Sequence, residues 1–183
     1  MRHRTSPLHA LATLALLLTG CEPAATPVRD PVVVYVVRHA ERADDGAGLD
    51  GATTDPPLAE AGRARAAHLA ELLGSAGLTH VHSTDLLRTR STALPVSEAE
   101  GLELEIYDPA DPARLAARLR ATPGTHLVVG HSNTAPALVR ALGGDPGSPI
   151  DPLEYDRIYV LHLLADGSAR SALFRYGEPP GTR

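Results

Sequence analysis

Two histidines in this chain stand directly after apolar, β-branched runs. Arg38-His39 follows VVVYVV (32–37), and His131 follows THLVVG (125–130). A third basic element, Arg88, lies within STDLLRTRSTA (83–93), just past THVHS (79–83). Imidazoles and guanidiniums together suit phosphoryl transfer, which is catalysed mostly by placing a nucleophile in line and neutralising the equatorial oxygens. On that chemistry His39 would be the nucleophile, attacking phosphorus to form a phosphohistidine that water then hydrolyses. Such a nucleophile must be a neutral imidazole. Arg38 and Arg88 would hold the phosphate oxygens with planar, multi-donor forks, and their charge disfavours protonation of His39 in the empty site. His131, protonated once a phosphate dianion is bound, adds a further donor. Taken singly, each arginine is an ordinary ion-pair residue and each histidine an ordinary structural one. The chemistry exists only if the fold brings all four to one place.

The elements between them are suited to do so. From Pro31 onward strand-like and helix-like periods alternate, which predicts an α/β fold with a largely parallel sheet. VVVYVV (32–37), THVHS (79–83), LELEIY (102–107) and THLVVG (125–130) read as strands. LAEAGRARAAHLAELLG (58–74) reads as a helix with Leu58, Ala61, Arg65, Leu69, Leu72 and Leu73 along one face and Gly74 as its stop. DLLRTRSTALPV (85–96), limited by Pro95, DPARLAARLR (111–120) and SNTAPALVRALGG (132–144) read as further helices. RIYVLHLL and SARSALFRYG flank Asp166-Gly167, a turn signal for an antiparallel hairpin. In open α/β sheets ligands bind outside the carboxyl ends of the strands, so His39 and His131 are expected at one crevice.

In this order and spacing the residues resemble the histidine phosphatase superfamily, also called phosphoglycerate mutase-like. Its Arg-His-Gly is met by Arg38 and His39, with Ala40 in place of the glycine. Its Ser-Ser-x-Leu-x-Arg-Ala-x-x-Thr-Ala is met by Ser83, Thr84, Leu86, Arg88, Thr92 and Ala93, with Thr89 in place of the alanine. Gly130-His131 matches the later Gly-His, and PLAEAGRARA (57–66) is similar to the family's Pro-Leu-Thr-x-x-Gly-x-x-Gln-Ala. The resemblance spans roughly residues 32–176. It implies a three-layer α/β/α fold, a phosphomonoester hydrolase working through His39, and no cofactor. The residues after Arg38-His39 and after His131 are similar to those of a branch of small bacterial phosphatases. The family often takes its leaving-group proton from a carboxylate between the second and third motifs. That interval holds Glu98, Glu100, Glu103, Glu105, Asp108 and Asp111; Asp108, at the carboxyl end of a strand, is the first candidate, and Glu41 is the second.

Other features bound the reading. The 183 residues suffice for one domain, assigned to 31–183, and a formal charge of −5 with no lysine excludes an electrostatic grip on nucleic acid. His80 and His82 share one strand face, but no Cys or Glu cluster completes a metal site with them, so no metal is expected. GGDPGSP (143–149) lacks the strand–Gly–helix context and lysine of a phosphate loop and reads as a plain loop. Arg2 and Arg4 precede the apolar LHALATLALLL (8–18), and Leu18-Thr19-Gly20-Cys21 resembles the lipobox of bacterial lipoproteins. The expectation is a signal peptide at 1–20, lipidation of Cys21, the sole cysteine, and a tether at 21–30. The protein is then extracytoplasmic, meeting a membrane only through its lipid. Its partner is a small phosphomonoester or a phosphoprotein. Two alternatives stand beside the phosphatase: a phosphoglycerate mutase-type phosphotransferase, and a phosphate-binding lipoprotein without turnover.

Overall fold

A computed structural model describes residues 31–43 and 55–179; the expected signal peptide, Cys21 and tether lie outside the described residues. The elements run β1 (Val32–Arg38), α1 (Glu60–Leu73), β2 (His80–Ser83), α2 (Leu87–Glu100), β3 (Leu104–Ile106), α3 (Pro112–Ala121), β4 (Gly124–Gly130), α4 (Thr134–Ala141), β5 (Arg157–Leu163) and β6 (Ala169–Arg175). The strands form one sheet in the order β3-β2-β4-β1-β5-β6. Its β3, β2, β4 and β1 are parallel, while β5 and the hairpin partner β6 run antiparallel. This is the expected α/β/α arrangement with a mostly parallel central sheet.

Both faces of the sheet centre are covered, which is why β1 and β4 read as near-continuous apolar runs. On one face Val34, Val36 and Val128 pack with Leu119 of α3 and Leu138 and Val139 of α4. On the other, Val37, Val81, Leu127 and Val129 pack with Leu69 and Leu73 of α1 and Ala93 and Val96 of α2. The register sets Arg38 opposite Gly130 and Ser83 opposite Val129, so three parallel strands end almost level. Whatever follows those residues shares one rim.

Two boundaries and one helix face depart most from the periodic reading. The second helix continues through Pro95 to Glu100, ending on Gly101 in the left-handed region (φ 65°). Proline costs the helix one hydrogen bond, but the turn beyond it is held by buried Val96 and Ser97, whose hydroxyl donates to the Leu102 carbonyl at 2.5 Å. The strand LELEIY shortens to Leu104–Ile106, because it is a sheet edge whose Ile106 stays 46% exposed. In α1 the inward face is Gly62, Arg65, Ala66, Leu69 and Leu73, whereas Ala61 and Leu72 face out. Gly62 is required there: an added Cβ would sit 2.2 Å from the Glu41 carbonyl oxygen, where the chain leaving β1 crosses the helix.

Candidate active site

The chain leaving β1 is locked to the end of β4 by the His39 amide, which donates to the Gly130 carbonyl at 2.8 Å. Nδ1 of His39 lies 2.8 Å from the Ala40 carbonyl oxygen. A carbonyl only accepts, so Nδ1 carries the proton and Nε2 keeps its lone pair, the arrangement a nucleophilic imidazole needs. The ring is 4% exposed, and burial is the main cause that lowers its pKa to about 3. The Ala40 carbonyl opposes the shift, and the charges of Arg38, His131 and Arg88 add to it. His39 is therefore neutral at pH 7.

Arg38 is held by the segment that leads into β5. Its Nη1 donates to the carbonyl oxygens of Asp151 (3.0 Å) and Glu154 (2.8 Å), and its Cζ lies 4.0 Å from the centroid of the Tyr155 ring. Tyr155, 2% exposed, also stands 5.8 Å from the His39 ring. The Glu154 carboxylate is gripped by Arg157 (2.8 Å from Nη2 to Oε2) and by Arg175, and it accepts the Asp151 amide at 3.0 Å. Burial pushes the Glu154 carboxyl up, but these donors together bring it down to about 2. An ionised, clamped Glu154 thus fixes the backbone that orients Arg38.

Arg88 enters from the second position of α2. The N-cap residue of that helix, Leu86, has no side-chain oxygen to cap it, and Asp55 does so from a distant segment, accepting the Leu87 amide at 2.8 Å and 2.9 Å. The same carboxylate pairs with Arg88 Nη1 at 3.4 Å. Thr92, one turn on, donates to the Arg88 carbonyl (2.8 Å) and accepts the Ala40 amide (2.9 Å), which ties α2 to the residue after His39. His131 follows β4, its amide donating to Thr134 Oγ1 at 2.9 Å. Its ring meets that of His39 edge-on at 5.4 Å. Burial, then Arg88 and Arg38, lower the His131 pKa to about 4, against the opposing charge of Asp55.

Arg38, Arg88 and His131 thus gather with His39 on one rim, each within electrostatic reach of that ring. The candidate proton donors are placed differently. Glu41 is engaged by Arg65, whose Nε and Nη2 donate to its carboxylate at 2.8–3.0 Å. Asp108 is exposed beyond β3, accepts the Ala110 amide at 2.9 Å, and lines a cavity of about 530 Å³ with Ile106, Tyr107 and Arg114. Nothing in the sequence points to Asp55, Glu154 or Tyr155, which lie outside every motif. His80 and His82 stack with His126 (ring centroids 4.5 Å and 5.4 Å), and among the described residues no three His, Cys, Asp or Glu side chains are arranged so that they could hold a metal ion.

Residues 34–109 match the histidine phosphatase superfamily, branch 1. Over that segment, which holds Arg38, His39 and Arg88, the chain is similar to that superfamily. A protein of Serratia proteamaculans named "Probable phosphoglycerate mutase GpmB" is 41% identical over 76 residues, which is 42% of this chain and 35% of that protein. Counterparts of the same name in Yersinia pestis are 38% identical over 76 residues. The match thus spans about a third of the length of these curated relatives. Among solved structures, the protein histidine phosphatase SixA complexed with tungstate is 21% identical, with a TM-score of 0.64 over 78% of this chain and 96% of that one. The mycobacterial glucosyl-3-phosphoglycerate phosphatase has a TM-score of 0.64 at 17% identity, over 80% of this chain and 98% of that one. Phosphoglycerate mutase from Bacillus anthracis has a TM-score of 0.56 at 18% identity, over 78% and 92%. At these identities the likeness is one of fold.

Proposed function

We propose that this chain is a phosphatase that hydrolyses phosphomonoesters through a phosphohistidine on His39. The observation that carries the reading is the protonation geometry of His39: Nδ1–H is committed to the Ala40 carbonyl, and the ring is kept neutral beside Arg38, Arg88 and His131. A neutral nucleophile among cations is suited to attack a dianion whose charge those cations neutralise. On this reading Nε2 bonds to phosphorus as the ester oxygen leaves with a proton. Water then attacks the phosphohistidine, releasing inorganic phosphate and restoring Nε2. Asp108 is the proposed donor of the leaving-group proton. A lipid on Cys21 would hold the domain outside the cytoplasm, away from glycolytic substrates, which favours hydrolysis over a mutase cycle.

The test is a panel of alkyl phosphates, aryl phosphates, 3-phosphoglycerate and a phosphohistidine peptide, assayed with residues 31–183 for released phosphate. Release is expected with no interconversion of 2- and 3-phosphoglycerate, and it should be lost in Arg88→Ala. Isomerisation without net hydrolysis would assign the mutase activity instead.

A further inference from the structure

Two buried threonines of the second motif form a hydroxyl chain that ends on His131. Thr89 Oγ1 lies 2.8 Å from Thr84 Oγ1, which lies 3.0 Å from His131 Nε2, and the two threonines are 0% and 1% exposed. The direction of the protons follows from what surrounds Thr89. Its oxygen is 2.8 Å from the Leu86 carbonyl and 3.0 Å from the Thr84 carbonyl, and neither has a proton to give. If the single Thr89 proton pointed at Thr84 Oγ1, both carbonyl contacts would be lone pair against lone pair in a buried site. The Thr89 proton therefore goes to a carbonyl. Thr84 then donates to Thr89, and its oxygen is left to accept from His131.

We propose that Thr84 and Thr89 are positioning residues that hold neutral His131 as its Nε2–H tautomer, leaving Nδ1 as the nitrogen that takes up a proton when a phosphate dianion binds. The inference rests on the functional reading of His131. The charged and titratable groups acting on that ring are Arg88 from α2, Arg38 and His39 from the end of β1, and Asp55. Burial and then the two arginines keep it neutral in the empty site, and an entering dianion offsets the arginines' charge. The proton then comes from solvent and sits on Nδ1, while Nε2–H stays on Thr84. Threonine at position 89, where the resembling family has alanine, gives the chain a second hydroxyl that an alanine could not supply.

The test reads the tautomer directly, without turnover. In protein labelled with ¹⁵N-histidine at pH 7, the His131 signals, identified by their loss in His131→Gln, should show Nε2 protonated and Nδ1 bare. In Thr89→Ala the Thr84 hydroxyl is released to donate into Nε2, so both nitrogens should move toward intermediate, mixed-tautomer shifts. Thr89→Ser should restore the parental pattern. Turnover in Thr89→Ala is expected to fall about 5-fold, the equivalent of one net hydrogen bond, with KM nearly unchanged. A parental His131 protonated on Nδ1, or a Thr89→Ala spectrum identical to the parent, would overturn the proposal. The Nδ1–H tautomer in a fully active enzyme would overturn the relay alone. The Nε2–H tautomer in a protein that releases no phosphate would uphold the relay and overturn the phosphatase reading.

Discussion

Acid should unfold this domain through its imidazoles before its carboxylates titrate. His39 and His82 are 4% and 2% exposed, and each is held neutral down to about 3. Burial is the main cause for both. His82 is further depressed by His126, Arg118 and His80. In the unfolded chain each takes a proton near about 6.5. Their folded pKa values lie below their unfolded ones, so the unfolded state binds more protons throughout that window. Stability is therefore complete above 6.5 and is lost as the pH falls toward 3. Each group contributes a slope of about 1.4 kcal/mol per pH unit, so the pair costs about 4 kcal/mol by pH 5, a large part of a typical domain's 5–15 kcal/mol. His131 and His126 are shifted in the same direction, which makes two protons the lower bound. The Glu154 carboxyl, at about 2, begins to contribute only below its unfolded value of about 4.5, outside this window. Urea denaturation of residues 31–183, followed by circular dichroism at pH 7.5, 6.5, 5.5 and 5.0, measures the slope. His82→Gln should remove about one proton from it. A stability that stays flat from pH 7 to pH 5 would refute the account of these buried rings.

Two further expectations follow from particular side chains. An alkoxide is a poor leaving group and a nitrophenolate a good one, so Asp108→Asn should lower turnover of alkyl phosphates at least ~10-fold more than of nitrophenyl phosphate. Glu41→Gln and Asp55→Asn should lower both alike, because Glu41 is committed to Arg65 and Asp55 to the α2 cap and Arg88; equal losses in Asp108→Asn would remove it as the proton donor. In a bacterial host, the full chain should partition with membranes and Cys21→Ser should not, and identical aqueous partitioning of the two would contradict lipidation.

The parts of the site on β1 and β4 were legible because local chemistry dictates them. A strand buried on both faces must be apolar throughout, so Arg38-His39 and His131 stand out where VVVYVV and THLVVG end. Parallel pairing then brings those ends together, with Arg38 opposite Gly130. Arg88 was legible through the spacing of its motif. The groups that aim these residues were not. Asp55 caps α2 and meets Arg88 across 33 residues, and the carbonyls holding Arg38 lie 113 and 116 residues away. A backbone carbonyl carries no residue-type signal at all. Arg65 fell on the predicted inner face of α1 as though apolar; its burial makes sense only once Glu41 and the Tyr176 and Glu178 carbonyls are seen around its guanidinium. The β3 edge was over-extended because LELEIY alternates strictly, while only three residues find a neighbour to pair with.

The central claim is that His39 carries the phosphoryl group. Mixing residues 31–183 with ³²P-labelled substrate and quenching within milliseconds under alkaline conditions should trap one labelled peptide, the one containing His39. Its label should be stable to base and released by acid, as a phosphoramidate is, and it should be absent from His39→Ala along with turnover. A label on any other residue, or turnover in His39→Ala close to the parental rate, would contradict the account.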